Sequence, residues 1–152
     1  RNNKKVALSL SDSFCVNRHR HSFIELIANY IDILFANESE LIALYQCSNI
    51  NDAIVKAKGI CEILVVTIGA KGSIIITKDS TINVAPVILG KAIDTTGAGD
   101  LFAAGFLYGY TKNKNIADCG KIGSICAGHI VTKIGSRTNT SLIDLINQNL
   151  NN

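Results

Sequence analysis

The chain has 152 residues, 47% of them hydrophobic and 18% charged, which is enough apolar material for one buried core in a single domain. Its net charge of +3 comes from Lys and Arg spread in ones and twos (Lys4-Lys5, Arg18, Arg20, Lys56, Lys58, Lys112, Lys114), a pattern that argues against a nucleic-acid stripe and for a solvated surface. No apolar run is long enough to span a membrane, and the stretch 6–10 is too short for a signal peptide, so a cytoplasmic protein is expected.

In chain order, the periodicities predict a strand over 5–9, a helix over 20–30 with Phe23, Ile27 and Tyr30 on one face, and a buried strand over 31–36. Helices over 38–45 and 51–58 follow. A β-branched strand over 62–68 then pairs with 73–77 across the turn Ala70-Lys71-Gly72, and 81–86 adds an edge strand. Three helices close the chain: 99–110, 116–133 after the cap Asn115, and 142–150 after the cap Ser141. The Asn-rich residues 147–152 are expected to fray. Short apolar strands alternating with helices imply an α/β fold. Its sheet would be mainly parallel, flanked by helices on both faces, with ligands beyond the strands' carboxyl ends. Asn37 and Gly69 lie just past such ends.

Five cysteines (Cys15, Cys47, Cys61, Cys119, Cys126) are odd in number and form no Cys-x-x-Cys pair. Most sit in apolar patterns and read as reduced core residues. His19 and His21 are two apart, would not share a helix face, and read as surface residues.

The run Asp94-Thr95-Thr96-Gly97-Ala98-Gly99-Asp100-Leu101-Phe102 carries the chemistry. A glycine-hinged polar loop opens directly into an apolar helical pattern, and free amides at a helix N-terminus favour a phosphate or a developing negative charge. A carboxylate at that junction, Asp100, could take a proton from a hydroxyl attacking a phosphoryl group held there. Taken one residue at a time, the plainer reading is favoured: Asp100 complements the helix dipole, and Asp94 or Thr95 is a turn residue. Asn37-Glu38-Ser39-Glu40 offers two readings that can both hold. Asn37 caps a helix with Glu40 at N3, and the pair could hold a hydrated Mg²⁺ near phosphate. The string Thr67-Ile68-Gly69-Ala70-Lys71-Gly72 is fully explained as a hairpin, and no P-loop string occurs.

As a whole, the run from Asp94 to Phe102 closely resembles the C-terminal signature of the ribokinase-like (pfkB) family of sugar and nucleoside kinases. That resemblance implies Asp100 as catalytic base and the amides of Gly97, Ala98 and Gly99 as the anion hole around the transferred phosphate. It implies an ATP site with contacts from Asn37, Thr67, Gly69, Lys71, Gly72 and Gly99, with Lys71 near phosphate and Ser124 on the adenine side. Glu40 would reach Mg²⁺ through water. A K⁺-type monovalent cation would sit by Asp94 and the carbonyls around Thr96, Ile130, Lys133 and Gly135. His129 falls outside the motif and reads as structural. The resemblance runs from Val6 to Gly135, nearly the whole chain, yet covers only the C-terminal half of the family fold. Residues 1–152 are then the single nucleotide-binding portion of a longer kinase, consistent with a start at Arg1 rather than Met. The other half would bring the substrate pocket and a β lid that often forms a homodimer. The residues 7–16 with Asn37-Glu38 look closest to bacterial adenosine or sugar kinases, so the expected activity is ATP-dependent phosphorylation of an alcohol on a sugar or nucleoside. The alternative is a nucleotide-binding fragment without turnover. A third possibility, a flavodoxin-like regulatory domain, predicts no ATP binding.

Overall fold

The structure is a computed structural model that describes residues 4–150. Five strands form one sheet in the order β1 (Ala7–Ser9), β2 (Ile33–Asn37), β3 (Ile63–Thr67), β4 (Ser73–Thr77) and β5 (Thr81–Val84). β1, β2 and β3 are parallel, in a register that sets Ala7 beside Ile33 and Ile33 beside Ile63. Parallel neighbours need a crossover, and α1 (Ser13–Arg18) with α2 (Arg20–Tyr30), then α3 (Glu38–Tyr45) with α4 (Ile50–Ala57), supply the two. Only short connections separate β3, β4 and β5, too short for a crossover, so these strands turn back on one another and the sheet is mixed. Beyond them come α5 (Ala98–Thr111), α6 (Ile116–Ile130) and α7 (Leu142–Asn149).

Two compact units divide the chain: Arg1–Ile68 with Ile74–Ile82, and Gly69–Ser73 with Asn83–Asn152. In the first, alternate strand residues Leu34, Ala36, Leu64, Val66 and Ile76 pack with Ile27, Leu41, Leu44, Ala53 and Ala57 from the helices. The intervening residues Ile33, Phe35, Ile63, Val65 and Ile75 are buried as well, so β2, β3 and β4 are covered on both faces. This is why their sequences read as unbroken apolar runs rather than alternations. Asp32 ties the sheet's lower edge, accepting the Val6 amide at 2.8 Å and lying 3.7 Å from Lys5, which also pairs with Glu62.

In the second unit, Ile122, Ile125, Cys126 and Ile146 form a core with Val87, Leu89, Leu101 and Leu145 around it. The segment after β5 lies directly on α6: a Cβ placed on Gly128 would come within 2.0 Å of the Val87 carbonyl oxygen. Neither partner atom is a movable side-chain tip. Gly128→Ala is therefore expected to destabilise the fold by about 1–3 kcal/mol, read as a lowered urea midpoint at unchanged m-value.

Several boundaries differ from expectation for local reasons. α1 was not foreseen; its signal is Asp12, whose carboxylate caps the helix by accepting the Phe14 amide at 2.7 Å. α6 stops at Ile130, because Thr132 bonds back to the His129 carbonyl through both its amide and its hydroxyl. Tyr30 is 57% exposed, so the buried face of α2 rests on Ile27 with Phe23 and Ile24 beside it. Cys15 is exposed rather than in the core, whereas Cys119 and Cys126 are buried and burial raises each thiol to about 11. Residues 147–149 are helical, and the last two of the stretch expected to fray fall outside the described residues.

Candidate active site

The second unit gathers most of the motif residues into one clasp. Asp94 is half-buried, and its two oxygens are divided between two loops: Oδ1 accepts the Thr96 amide (2.9 Å) and hydroxyl (2.7 Å), and Oδ2 accepts the Gly135 amide at 2.8 Å. Backbone bonds reinforce the join, since Ile93 and Asp94 both donate to the Val131 carbonyl, at 2.7 and 3.2 Å. The Thr96 hydroxyl first, then the Gly135 and Thr96 amides, favour the charged form and hold the Asp94 carboxyl below its usual value of 3.8. A depressed carboxylate stabilises the fold above its unfolded value, and that contribution is lost as pH falls through the folded value. The stability difference between the wild type and Asp94→Asn is accordingly expected to be constant at neutral pH and to shrink below about pH 3.8, as followed by urea midpoints.

Next to this clasp the chain reverses and starts α5. Gly97, the N-cap, is left-handed (φ 78°) and has no side chain to occupy the open amides behind it. An added Cβ there would meet Ser136 Cβ at 2.5 Å, so the turn is backed closely by the loop after α6. Of the three amides expected to surround a phosphate, that of Ala98 is already used, donating to the Thr95 carbonyl at 3.1 Å. The tight turn of Thr95 to Ala98 engages that donor within the backbone. The amides of Gly97 and Gly99, and with them that of Asp100, have no acceptor among the described residues. Gly99 itself is exposed, and nothing lies within 4 Å of a Cβ built on it. The Asp100 side chain is exposed and makes no hydrogen bond or ion pair among the described residues. Three vacant donors beside an unengaged carboxylate at a helix start fit an anion flanked by a proton acceptor.

Gly69 to Lys71 form a 3-10 turn closed by the Gly72 amide on the Gly69 carbonyl at 3.1 Å, with Lys71 exposed and Gly72 buried. Ser124 is 5% exposed within α6. His129 is buried, its Nε2 lying 2.8 Å from the Thr138 hydroxyl, and burial followed by the nearby Lys133 charge lowers its pKa.

In the first unit, the end of β2 carries the expected cap in full. Asn37 Oδ1 accepts the Glu40 amide at 2.9 Å, while Glu40 returns Oε2 to the Asn37 amide (2.9 Å) and Oε1 to the Asn37 side-chain amide (2.7 Å). Register places Thr67 of β3 directly beside Asn37. Glu40 is buried, and that burial raises its carboxyl above the usual 4.5, against the lowering effect of the Asn37 amide and with a further rise from Asp12. Among the described residues no three His, Cys, Asp or Glu side chains gather to hold a metal ion. A Mg²⁺ here would depend on one carboxylate, water and the phosphates of its ligand, an arrangement that ion commonly adopts.

Comparison with known proteins identifies the family. The family model described as pfkB family carbohydrate kinase matches residues 1–142. The chain belongs to that family. This pfkB chain is similar to the nucleoside kinase of Methanocaldococcus jannaschii, 36% identical over 126 residues, covering 82% of this chain and 40% of that protein. Among solved structures, the probable sugar kinase of Rhizobium etli superposes with a TM-score of 0.93 at 40% identity, covering 96% of this chain and 44% of the other. The adenosine kinase of Sinorhizobium meliloti gives 0.92 at 39% identity, covering 95% and 45%. The chain thus spans less than half the length of each of these three relatives. No helix among the described residues is long and apolar enough to cross a membrane.

Proposed function

We propose that this pfkB chain carries the phosphoryl-transfer half of an ATP-dependent kinase acting on an alcohol group of a sugar or nucleoside. The observation that supports this most is the unengaged Asp100 carboxylate next to the vacant amides of Gly97, Gly99 and Asp100. In this reading Asp100 accepts the proton of the acceptor hydroxyl as its oxygen bonds to the γ-phosphorus. The bond from that phosphorus to the β–γ bridging oxygen breaks, ADP departs, and the amides neutralise charge on the transferring group. Lys71, Gly69 and Gly72 would lie along the nucleotide, Thr67 and Asn37 near its phosphates, and Ser124 by the base. Glu40 would orient water on Mg²⁺. A monovalent cation would act indirectly near Asp94, Thr96 and Gly135 by stiffening the loop.

A second reading, a nucleotide-binding portion without turnover, is supported by the chain's span of about 40% of its curated relative. Titration calorimetry with ATP-Mg²⁺, followed by an ADP-release assay over a panel of sugars and nucleosides, separates the two. Binding with acceptor-dependent ADP release supports the kinase. Binding without release supports the second reading, and absence of binding sinks both.

A further inference from the structure

The loop that backs the Gly97 turn is held at several points. At its start, the Val131 carbonyl accepts the amides of Ile93 and Asp94; in its middle, the Gly135 amide donates to Asp94 and Ser136 stands against Gly97. Its far end has a different fastening: the Thr138 hydroxyl meets His129 Nε2 at 2.8 Å and accepts the Thr140 amide at 3.1 Å. His129 sits in the last turn of α6, so residues 131–137 form a loop whose two ends both return to one rigid helix. Beyond Gly135, the His129–Thr138 contact is the side-chain bond that ties the arm carrying Ser136 back to α6.

We infer that His129 and Thr138 are positioning residues for phosphoryl transfer: their hydrogen bond sets the seat of Ser136 against Gly97 and so the direction of the vacant amides beside Asp100. The inference rests on the kinase reading above. Neither residue touches the reacting atoms. Preorganised donors act only within a narrow geometry, and a shift of about 1 Å in a positioned group can cost about 10²-fold in rate, so relaxing one anchor by a fraction of that should cost about 10-fold.

Thr138→Val keeps the side chain's shape and removes its hydroxyl, and Thr138→Ser keeps the hydroxyl. Expected for Thr138→Val is a kcat lower by about 10-fold with KM for ATP within about twofold of wild type, while Thr138→Ser retains wild-type kcat. In ¹H–¹⁵N spectra of the chain without ligand, the Gly97 and Gly135 amide signals should move in Thr138→Val and stay in place in Thr138→Ser. A merely structural role would lower the melting temperature and leave kcat and the Gly97 signal untouched, and that result overturns the inference. Asp100→Asn measured alongside keeps the two ideas apart. Loss of turnover in Asp100→Asn with full turnover in Thr138→Val rejects the positioning role alone. Full turnover in Asp100→Asn rejects the kinase assignment on which that role depends.

Discussion

Asp100→Asn is expected to abolish most turnover while leaving the fold and ATP binding intact. Its side chain is exposed and free of partners among the described residues, so exchanging a carboxylate for an amide of the same shape breaks no structural contact. The structural cost is confined to a lost interaction with the start of α5, about 0.3–1 kcal/mol, which for a chain of this size lowers the melting temperature by no more than about 2–4 °C. Removal of a general base typically costs about 10²–10⁴ in rate. Measuring ADP release, ATP affinity and melting temperature on the same variant sets a small stability change against a large kinetic one. If Asp100 merely complements the dipole, the small stability change comes with undiminished turnover, and the base assignment is wrong.

Gly97→Ala has the second-largest expected effect and acts on both stability and rate. A non-glycine residue in the left-handed region costs roughly 1–2 kcal/mol, and a Cβ 2.5 Å from Ser136 Cβ must push the backing loop or the turn itself aside. The displaced amides then point away from the charge they are proposed to stabilise, and losing one preorganised donor costs about 10²–10³ in turnover. Gly99→Ala is the informative companion. Space around Gly99 is open and its φ is ordinary, so alanine there is tolerated by the fold and favoured in a helix by roughly 1 kcal/mol. Should phosphate approach this amide closely, Gly99→Ala will be at least as stable as wild type and yet slower. Equal rates would mean that the ligand approaches elsewhere.

What could be read from the residues in advance was whatever depended on local order. The caps at Asn37, Asn115 and Ser141 were legible because capping is settled by side chains within four residues of the helix start. β2 and β3 were legible because strands covered on both faces are apolar at every position. α1 escaped because it is six residues long with Val16 alone buried, too brief to show a period. At the site, the glycine-hinged helix start and the acid beside it stand out in the sequence, but the use of the Ala98 amide by Thr95 depends on the turn the backbone adopts. Contacts across long separations were not readable from local pattern. The family resemblance brings Asp94 and Gly135 to one cation site, but nothing in the residues near Asp94 announces a direct bond to the Gly135 amide, 41 positions on, or that Ser136 would be the neighbour that forbids a side chain at Gly97.

The deep placement of Cys119 and Cys126, contrasted with the open position of Cys15, gives the molecule an internal clock. Thiols raised to about 11 and shut away from solvent are inert toward alkylating reagents near neutral pH until the helix pair that encloses them separates. Their rate of modification therefore counts openings of α6 away from α5, the motion that would also carry off the helix start where Asp100 stands.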